Sequence, residues 1–281
     1  MKEILGVTNK LLEIDLSLTS WKIIPIDPDH RKKFLGGKGL GLKLYYDRLK
    51  DKLNNVDPLG EENLLCFMAG VMTGTGGICS ARFAGITKSP LTGIMVTASC
   101  GGPFGIALKT AGYDGLIIKG KSKTPIYLQI SDEKVDFIDA ADLWGSLIDK
   151  TQKALSISKK DGELAIGPAG ENGVLFANIA SGHRFLGRGG MGAVMGAKLL
   201  KAIVVRGRTY KVKPVKPEMF KKVRTRAAKY IGRNAYSKSY KQFGTNFNVL
   251  PGMEAGFAPV NNFQDRTDPR LKNLSGQLMA E

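Results

Sequence analysis

The sequence predicts an α+β fold: paired β-sheets with inserted helices, followed by the start of a helical domain. Three observations lead there. Apolar runs of about five or six residues recur between glycine-rich turns through the first two hundred residues. Two pairs of these runs are joined by turns short enough for hairpins, a connection that parallel strands cannot use. Helical periodicity is scattered among the strands rather than alternating with them one for one, which disfavours a doubly wound sheet. Charge then shifts near residue 210. Residues 1–205 carry 26 Lys and Arg against 20 Asp and Glu, whereas 206–281 carry 16 against 5, so most of the net charge of +17 lies in the last quarter. A domain over 1–210 and the beginning of an incomplete, mainly helical second domain over 211–281 are expected.

Taken in order, 11–16 and 21–26 flank the turn-like 17–20 as a hairpin. Pro28 and Asp29 open a helical pattern through Phe34, Leu35, Leu40, Leu44, Tyr45 and Leu49. The cluster GGKGLG at 36–41 interrupts it. It lacks GxGxxG spacing and no strand leads into it, so a close helix crossing explains its glycines better than a dinucleotide site. Strands are expected at 64–69, 83–87 and 94–98, then a helix near 104–111 and a strand at 115–119. Residues 125–130 and 134–138 pair over Ser131, Asp132 and Glu133. A helix is expected over 140–159, ended by Asp161 and Gly162, with strands at 163–166, 174–179 and 202–206. Beyond Pro214, Pro217 begins a basic helix over 218–231, and the periodicity weakens after Tyr240.

Composition narrows the function classes. No run of about 18 apolar residues exists, so no membrane span is expected, and the N-terminus, broken by Glu3 and Glu13, does not read as a signal peptide. Cys66, Cys79 and Cys100 are too few and too far apart for a disulfide framework or a CxxC metal site, which points to a reducing cytoplasm. Nucleic acid is disfavoured because the basic helix has only Phe220 and Tyr230 as aromatics.

The chemistry concentrates at 181–201, SGHRFLGRGGMGAVMGAKLLK. Arg184 and Arg188 stand four residues apart in a run with five glycines from Gly182 to Gly192, and a small-residue helical pattern follows. Glycine admits a close backbone approach and turns with unpaired N–H groups, while arginine offers a planar fork of donors. Together they indicate an anionic, phosphorylated ligand. His183 and His30 read as hydrogen-bonded or solvated rather than catalytic, Cys100 as a small buried thiol, and Glu171 with Asn172 as turn residues.

The ordered motifs GGKGLG, DPLGEENLL, TGTGGICSARFAGITKSPLTG, GGPFGIALKTAGYDGLIIKGK, PIYLQI, LAIGPAGENGVLFANIA and GHRFLGRGGMGAVMGAKLLKAIVVRG resemble aldehyde:ferredoxin oxidoreductases. The resemblance covers nearly all of 5–208 and continues loosely through FGTNFN and PVNNFQ. It implies a two-sheet base under a tungsten or molybdenum bis-pterin cofactor. Arg82 would contact a pterin phosphate. Ser99 replaces an asparagine of the family pattern, and Gly101 would offer backbone contact. Arg184, Phe185, Gly187 and Arg188 match the run around the phosphates, with the Phe185 main-chain carbonyl toward a bridging magnesium. The family's iron–sulfur cysteines have no counterpart here, so a 4Fe-4S cluster is expected only in the complete enzyme, and catalytic residues are not assigned. The resemblance implies oxidation of a small aldehyde, with ferredoxin and a C-terminal half or partner subunit as partners, and it admits a homo-oligomer. This polypeptide alone is then expected to be incomplete and inactive, a fragment or one subunit of a split enzyme. The alternatives are a related aromatic acyl-CoA reductase subunit and a non-catalytic pterin-binding scaffold.

Overall fold

Alternation of side chains along each strand decides how this chain layers. In the computed structural model, which describes residues 2–155 and 158–281, the first strands are β1 (Lys2–Leu5) and the hairpin β2 (Lys10–Asp15) and β3 (Ser20–Pro25). They are followed by β4 (Leu65–Ala69), β5 (Phe83–Lys88), β6 (Met95–Cys100) and β7 (Gly115–Lys119). One six-stranded sheet has the order β3-β2-β7-β4-β5-β6, with β2 and β7 parallel and every other neighbour antiparallel. A second uses β8 (Ile126–Ser131), β9 (Lys134–Asp139), β10 (Gly162–Ala165), β11 (Ile179–Ser181), β12 (Arg184–Leu186) and β13 (Leu200–Val205). Its order is β12-β11-β10-β13-β8-β9, with only β13 and β8 parallel.

Leu12, Ile14, Leu65, Phe67, Leu116 and Ile118 from the first sheet share one core with Leu128, Ile130, Leu164, Ile203 and Val205 from the second. Helices α3 (Phe104–Thr110) and α6 (Met191–Ala197) add Phe104, Leu108, Met191, Val194 and Met195 to it. The alternate residues of the first sheet, Leu11, Cys66, Met68, Ala84, Ile86 and Ile117, face the other way. They meet Leu40, Leu44, Tyr45 and Leu49 of α2 (Gly37–Leu49), which follows the short α1 (Pro28–Phe34). The period of two has thus produced two cores from one sheet. Helix α2 lies on β5 because Gly41 has no side chain. A Cβ there would sit 2.4 Å from Ile86 Cδ1, so the close crossing expected of the glycine cluster is at Gly41 one of a helix over a strand.

Several expected elements differ in extent. The helix expected over 140–159 is a 3₁₀ turn at Ala141–Leu143 followed by α4 (Ile148–Ala154). Gly145, left-handed at φ 83°, turns the chain between them, and its N–H donates to Glu171 Oε2 at 2.7 Å. Ser156 and Ile157, inside that expected helix, lie outside the described residues. The strand expected at 174–179 pairs only from Ile179, since the Ala177 N–H turns back to the Val174 carbonyl. Arg184–Leu186, read from sequence as part of a glycine loop, is a strand. The short α5 (Pro168–Glu171) packs on α6, and a Cβ on Gly196 would sit 2.0 Å from the Gly170 carbonyl oxygen.

The chain divides into compact units of Met1–Pro217 and Glu218–Glu281. The first runs past the boundary expected near 210 because β14 (Tyr210–Lys213) pairs in parallel with β1. The expected basic helix is α7 (Pro217–Arg233), which buries none of its residues. Beyond it lie α8 (Ala235–Phe243), α9 (Val249–Glu254) and α10 (Gly276–Met279). Tyr240 and Phe243 pack their rings around Phe247, at centroid separations of 5.7 and 6.5 Å.

The sheet core also encloses lysines. Lys198 is 1% exposed, and its Nζ donates to the carbonyls of Gly120 (2.9 Å) and Glu61 (3.2 Å). Burial pushes its pKa down to about 8 from 10.5. Lys201 is neutralised by Glu171, which fixes that acid as structural.

Two outcomes follow. Phe104 is fully buried against Phe67 and Phe83, so Phe104→Ala should lower the unfolding free energy by about 3–5 kcal/mol in urea denaturation. The charged form of Lys198 is disfavoured in the fold, a penalty that is complete below about pH 8 and released as pH rises towards 10.5. Wild-type stability measured against Lys198→Met should therefore increase between pH 7 and pH 10. A difference that stays flat or falls would contradict the assignment.

Candidate functional site

The ends of two strands from different sheets meet at one open surface. In the β5–β6 ladder Phe83 faces Cys100 and Ala84 faces Ser99. Alternation sends Cys100 inwards and leaves Ser99 exposed, with exposed Arg82 just before β5. The Arg82 Nη1 donates to the Ser99 carbonyl at 3.2 Å, tying the two strand ends together. Against this edge lies β12, the edge strand of the second sheet. Glycines permit the approach: a Cβ on Gly101 would sit 3.1 Å from Arg184 Cδ, and one on Gly189 would sit 2.5 Å from Val96 Cγ2.

Strands β11 and β12 form a hairpin in which Ser181 faces Arg184 and Ala180 faces Phe185. Gly182, left-handed at φ 58°, takes the first of its two turn positions. Because the Ser181–Arg184 pair closes a two-residue turn, antiparallel alternation directs the Phe185 N–H and carbonyl to the free edge of β12. The Phe185 ring is 51% exposed and needs no cavity. Gly187 follows, its carbonyl 3.3 Å from the Asn178 amide nitrogen. Arg188 is exposed one residue further on.

Of the residues singled out from sequence, Arg82, Ser99, Gly101 and Arg184 are brought together directly. Phe185, Gly187 and Arg188 continue along the same edge. Burial pushes the Cys100 thiol up, while Arg184 and Arg82, both close to it, act in the opposite direction. Among the described residues none of Arg82, Arg184 and Arg188 pairs with a carboxylate. Unneutralised guanidiniums beside a glycine-permitted backbone approach suit a multiply charged oxyanion such as phosphate. Cys66 and Cys100 are buried and Cys79 is exposed. Among the described residues no three His, Cys, Asp or Glu side chains gather as a metal site, and no helix is long and apolar enough to cross a membrane.

Behind the hairpin opens a cleft of about 950 Å³, whose lining includes Gly102, Gln152, Glu163, Ser181, His183 and Arg184. Glu163 is 4% exposed, and burial raises its pKa above the ordinary carboxylate value. Its Oε1 accepts from the Gly182 N–H (2.8 Å) and from Gln152 Nε2, whereas among the described residues Oε2 and the Ser181 hydroxyl have no partner. Sequence reasoning did not single out Gln152 or Glu163. They carry no local motif, and only the placement of α4 against β10 and β11 brings them to the turn.

The model of the aldehyde ferredoxin oxidoreductase N-terminal domain matches residues 11–207. A tungsten-containing aldehyde ferredoxin oxidoreductase of Pyrococcus abyssi is 40% identical over 98% of this chain and 46% of its own length. The WOR-like subunit of an aliphatic sulfonate oxidoreductase from Pyrococcus furiosus is 34% identical, over 91% of this chain and 43% of its own. Among solved structures, the active-site complex BamBC of benzoyl coenzyme A reductase matches with a TM-score of 0.81 and 32% identity, over 96% of this chain and 43% of the other. The chain thus spans a little under half the length of these relatives. Similarity this extensive, over the two sheets and the arginine edge alike, shows that the chain belongs to the aldehyde ferredoxin oxidoreductase family and corresponds to its N-terminal portion.

Proposed function

We propose that this chain is the cofactor-binding portion of a tungsten- or molybdenum-pterin oxidoreductase that oxidises an aldehyde to a carboxylic acid and passes electrons to ferredoxin. The observation that carries the reading is the convergence of Arg82, Ser99, Gly101 and Arg184 where two sheet edges meet, with guanidiniums that no carboxylate among the described residues neutralises. The fit to a phosphorylated pterin rests on that donor set and on Gly101, where a side chain would press on Arg184.

In this reading Arg82, Arg184 and Arg188 hold the cofactor phosphates, and Gly101 lets its backbone approach. The Ser99 hydroxyl takes the place of an amide as donor or acceptor. The Phe185 carbonyl, on the free edge of β12, offers an oxygen to a magnesium ion, a hard cation that prefers such ligands. Bound there, the metallopterin supplies the two-electron oxidation chemistry and its own soft sulfur ligands. The chain's part is to bind and orient it. The thiolates of a 4Fe-4S cluster and the substrate pocket come from a C-terminal half or partner subunit. The likeness to a benzoyl coenzyme A reductase complex supports a second reading, a subunit of an aromatic acyl-CoA reductase, using the same residues for the same cofactor.

Protein isolated from its native source with its associated chains should contain tungsten or molybdenum and pterin by elemental analysis and pterin fluorescence. Metal-free, pterin-free material from cells making the cofactor would overturn the proposal. Arg184→Ala should reduce pterin occupancy roughly 10- to 100-fold, the loss of one charge-assisted contact worth about 1.5–3 kcal/mol. Aldehyde-dependent against acyl-CoA-dependent reactions of the assembled protein with a redox dye separate the two readings.

A further inference from the structure

The hairpin that presents Arg184 is held by side chains where its strand ladder gives out. Strands β10 and β11 pair through Ala165 and Ala180. Antiparallel register would then bring Leu164 opposite Ser181 and Glu163 opposite Gly182, and the ladder continues to neither. Instead Glu163 Oε1 accepts from the Gly182 N–H at 2.8 Å, and Gln152 Nε2 donates to the Gly182 carbonyl at 3.2 Å. Gln152 Nε2 also donates to the same Glu163 oxygen, which locks the two side chains together. Both backbone polar groups of the turn residue are thereby fixed from one side, and Arg184 lies two residues beyond it. A buried carboxylate with one oxygen that meets no partner among the described residues is costly to keep. Its retention here goes with the one bond that replaces the missing rung.

We propose that Glu163 and Gln152 are positioning residues: they clamp Gly182 and so set the hairpin that carries Arg184 and Phe185 to the anion-binding edge. Their effect on the ligand passes through Arg184, which the hairpin carries. The inference rests on the cofactor-binding reading above, and the experiment separates the two.

The probe is 6-hydroxymethylpterin monophosphate, titrated into the full chain by its fluorescence, with amide hydrogen exchange of the 180–186 segment as a second readout in the free protein. Arg184→Ala and Glu163→Ala should each weaken binding about 10-fold, and the double variant should be no weaker than either single one. Glu163→Gln keeps an acceptor oxygen for Gly182 and should stay within about threefold of wild type. Glu163→Ala should also speed exchange at Gly182 and Arg184 at least 10-fold. Wild-type binding and exchange in a folded Glu163→Ala protein, or strictly additive losses in the double variant, would overturn the clamp while leaving the cofactor site intact. Unchanged binding in Arg184→Ala would instead remove the cofactor site, and the clamp's purpose with it. Should Glu163→Ala fail to fold, Gln152→Leu removes the other half of the clamp. Faster exchange and weaker binding there support the proposal, and wild-type values refute it.

Discussion

Close approach at glycines, where one partner contributes no side chain, is the constraint on which the rest depends. On β5, a Cβ at Gly85 would lie 2.7 Å from Met191 Sδ and 3.2 Å from Leu186 Cδ1. Gly101 and Gly189 do the same for the strand ends nearby. Two sheets packed face to face normally stand about 10 Å apart, with interdigitated side chains between them. Here β12 lies against β6, and the glycines at 85, 101 and 189 leave room for Leu186, Met191, Arg184 and Val96. The arginine edge is the exposed surface beside that contact. Its position follows from where side chains are missing.

The interior pays for this geometry with buried charge. Lys201 and Glu171 neutralise each other, and Lys109 lies 3.8 Å from Asp114, which also pairs with Arg31. Arg31 with Asp114 and Lys201 with Glu171 tie together elements apart in sequence, and buried pairs of this kind are weak evidence for stability. Asp114 also accepts from the N–H groups of Thr8 and Asn9, pinning the entry to β2 onto the start of β7. At the arginine edge the pattern inverts: among the described residues no acid pairs with Arg82, Arg184 or Arg188, and the cost of unpaired cations is lowered by their exposure.

Most of the sheet residues were legible because apolar runs between glycine turns carry a local signal. The hairpin 11–16 with 21–26 and the strands at 64–69, 83–87 and 115–119 needed nothing else. Arg184–Leu186 escaped as a strand because three residues are too few to show periodicity, and only pairing with Ile179–Ser181 defines them. The helix expected over 140–159 overran because Leu143, Leu147 and Leu155 kept a helical rhythm across Gly145, whose left-handed backbone ends it. The arginines and glycines of the site were legible as a motif. Gln152 and Glu163 were not, since their contact with Gly182 exists only after β10, β11 and α4 are assembled.

Strands β1 and β14 pair although about two hundred residues separate them, from Lys2 with Tyr210 to Leu5 with Lys213. On a ribosome adding roughly 5–20 residues per second, β1 therefore waits on the order of 10–40 s for its partner. Strand β8 likewise waits for β13, and β2 for β7. Long-range parallel pairings are slow to close and leave strand edges open meanwhile. Every residue of the arginine edge has been synthesised before β14 arrives to finish the unit. Assembly in the cell thus has a stage at which the edge exists as polypeptide but the scaffold around it is unsealed, and that is where misfolding and chaperone capture would compete with completion.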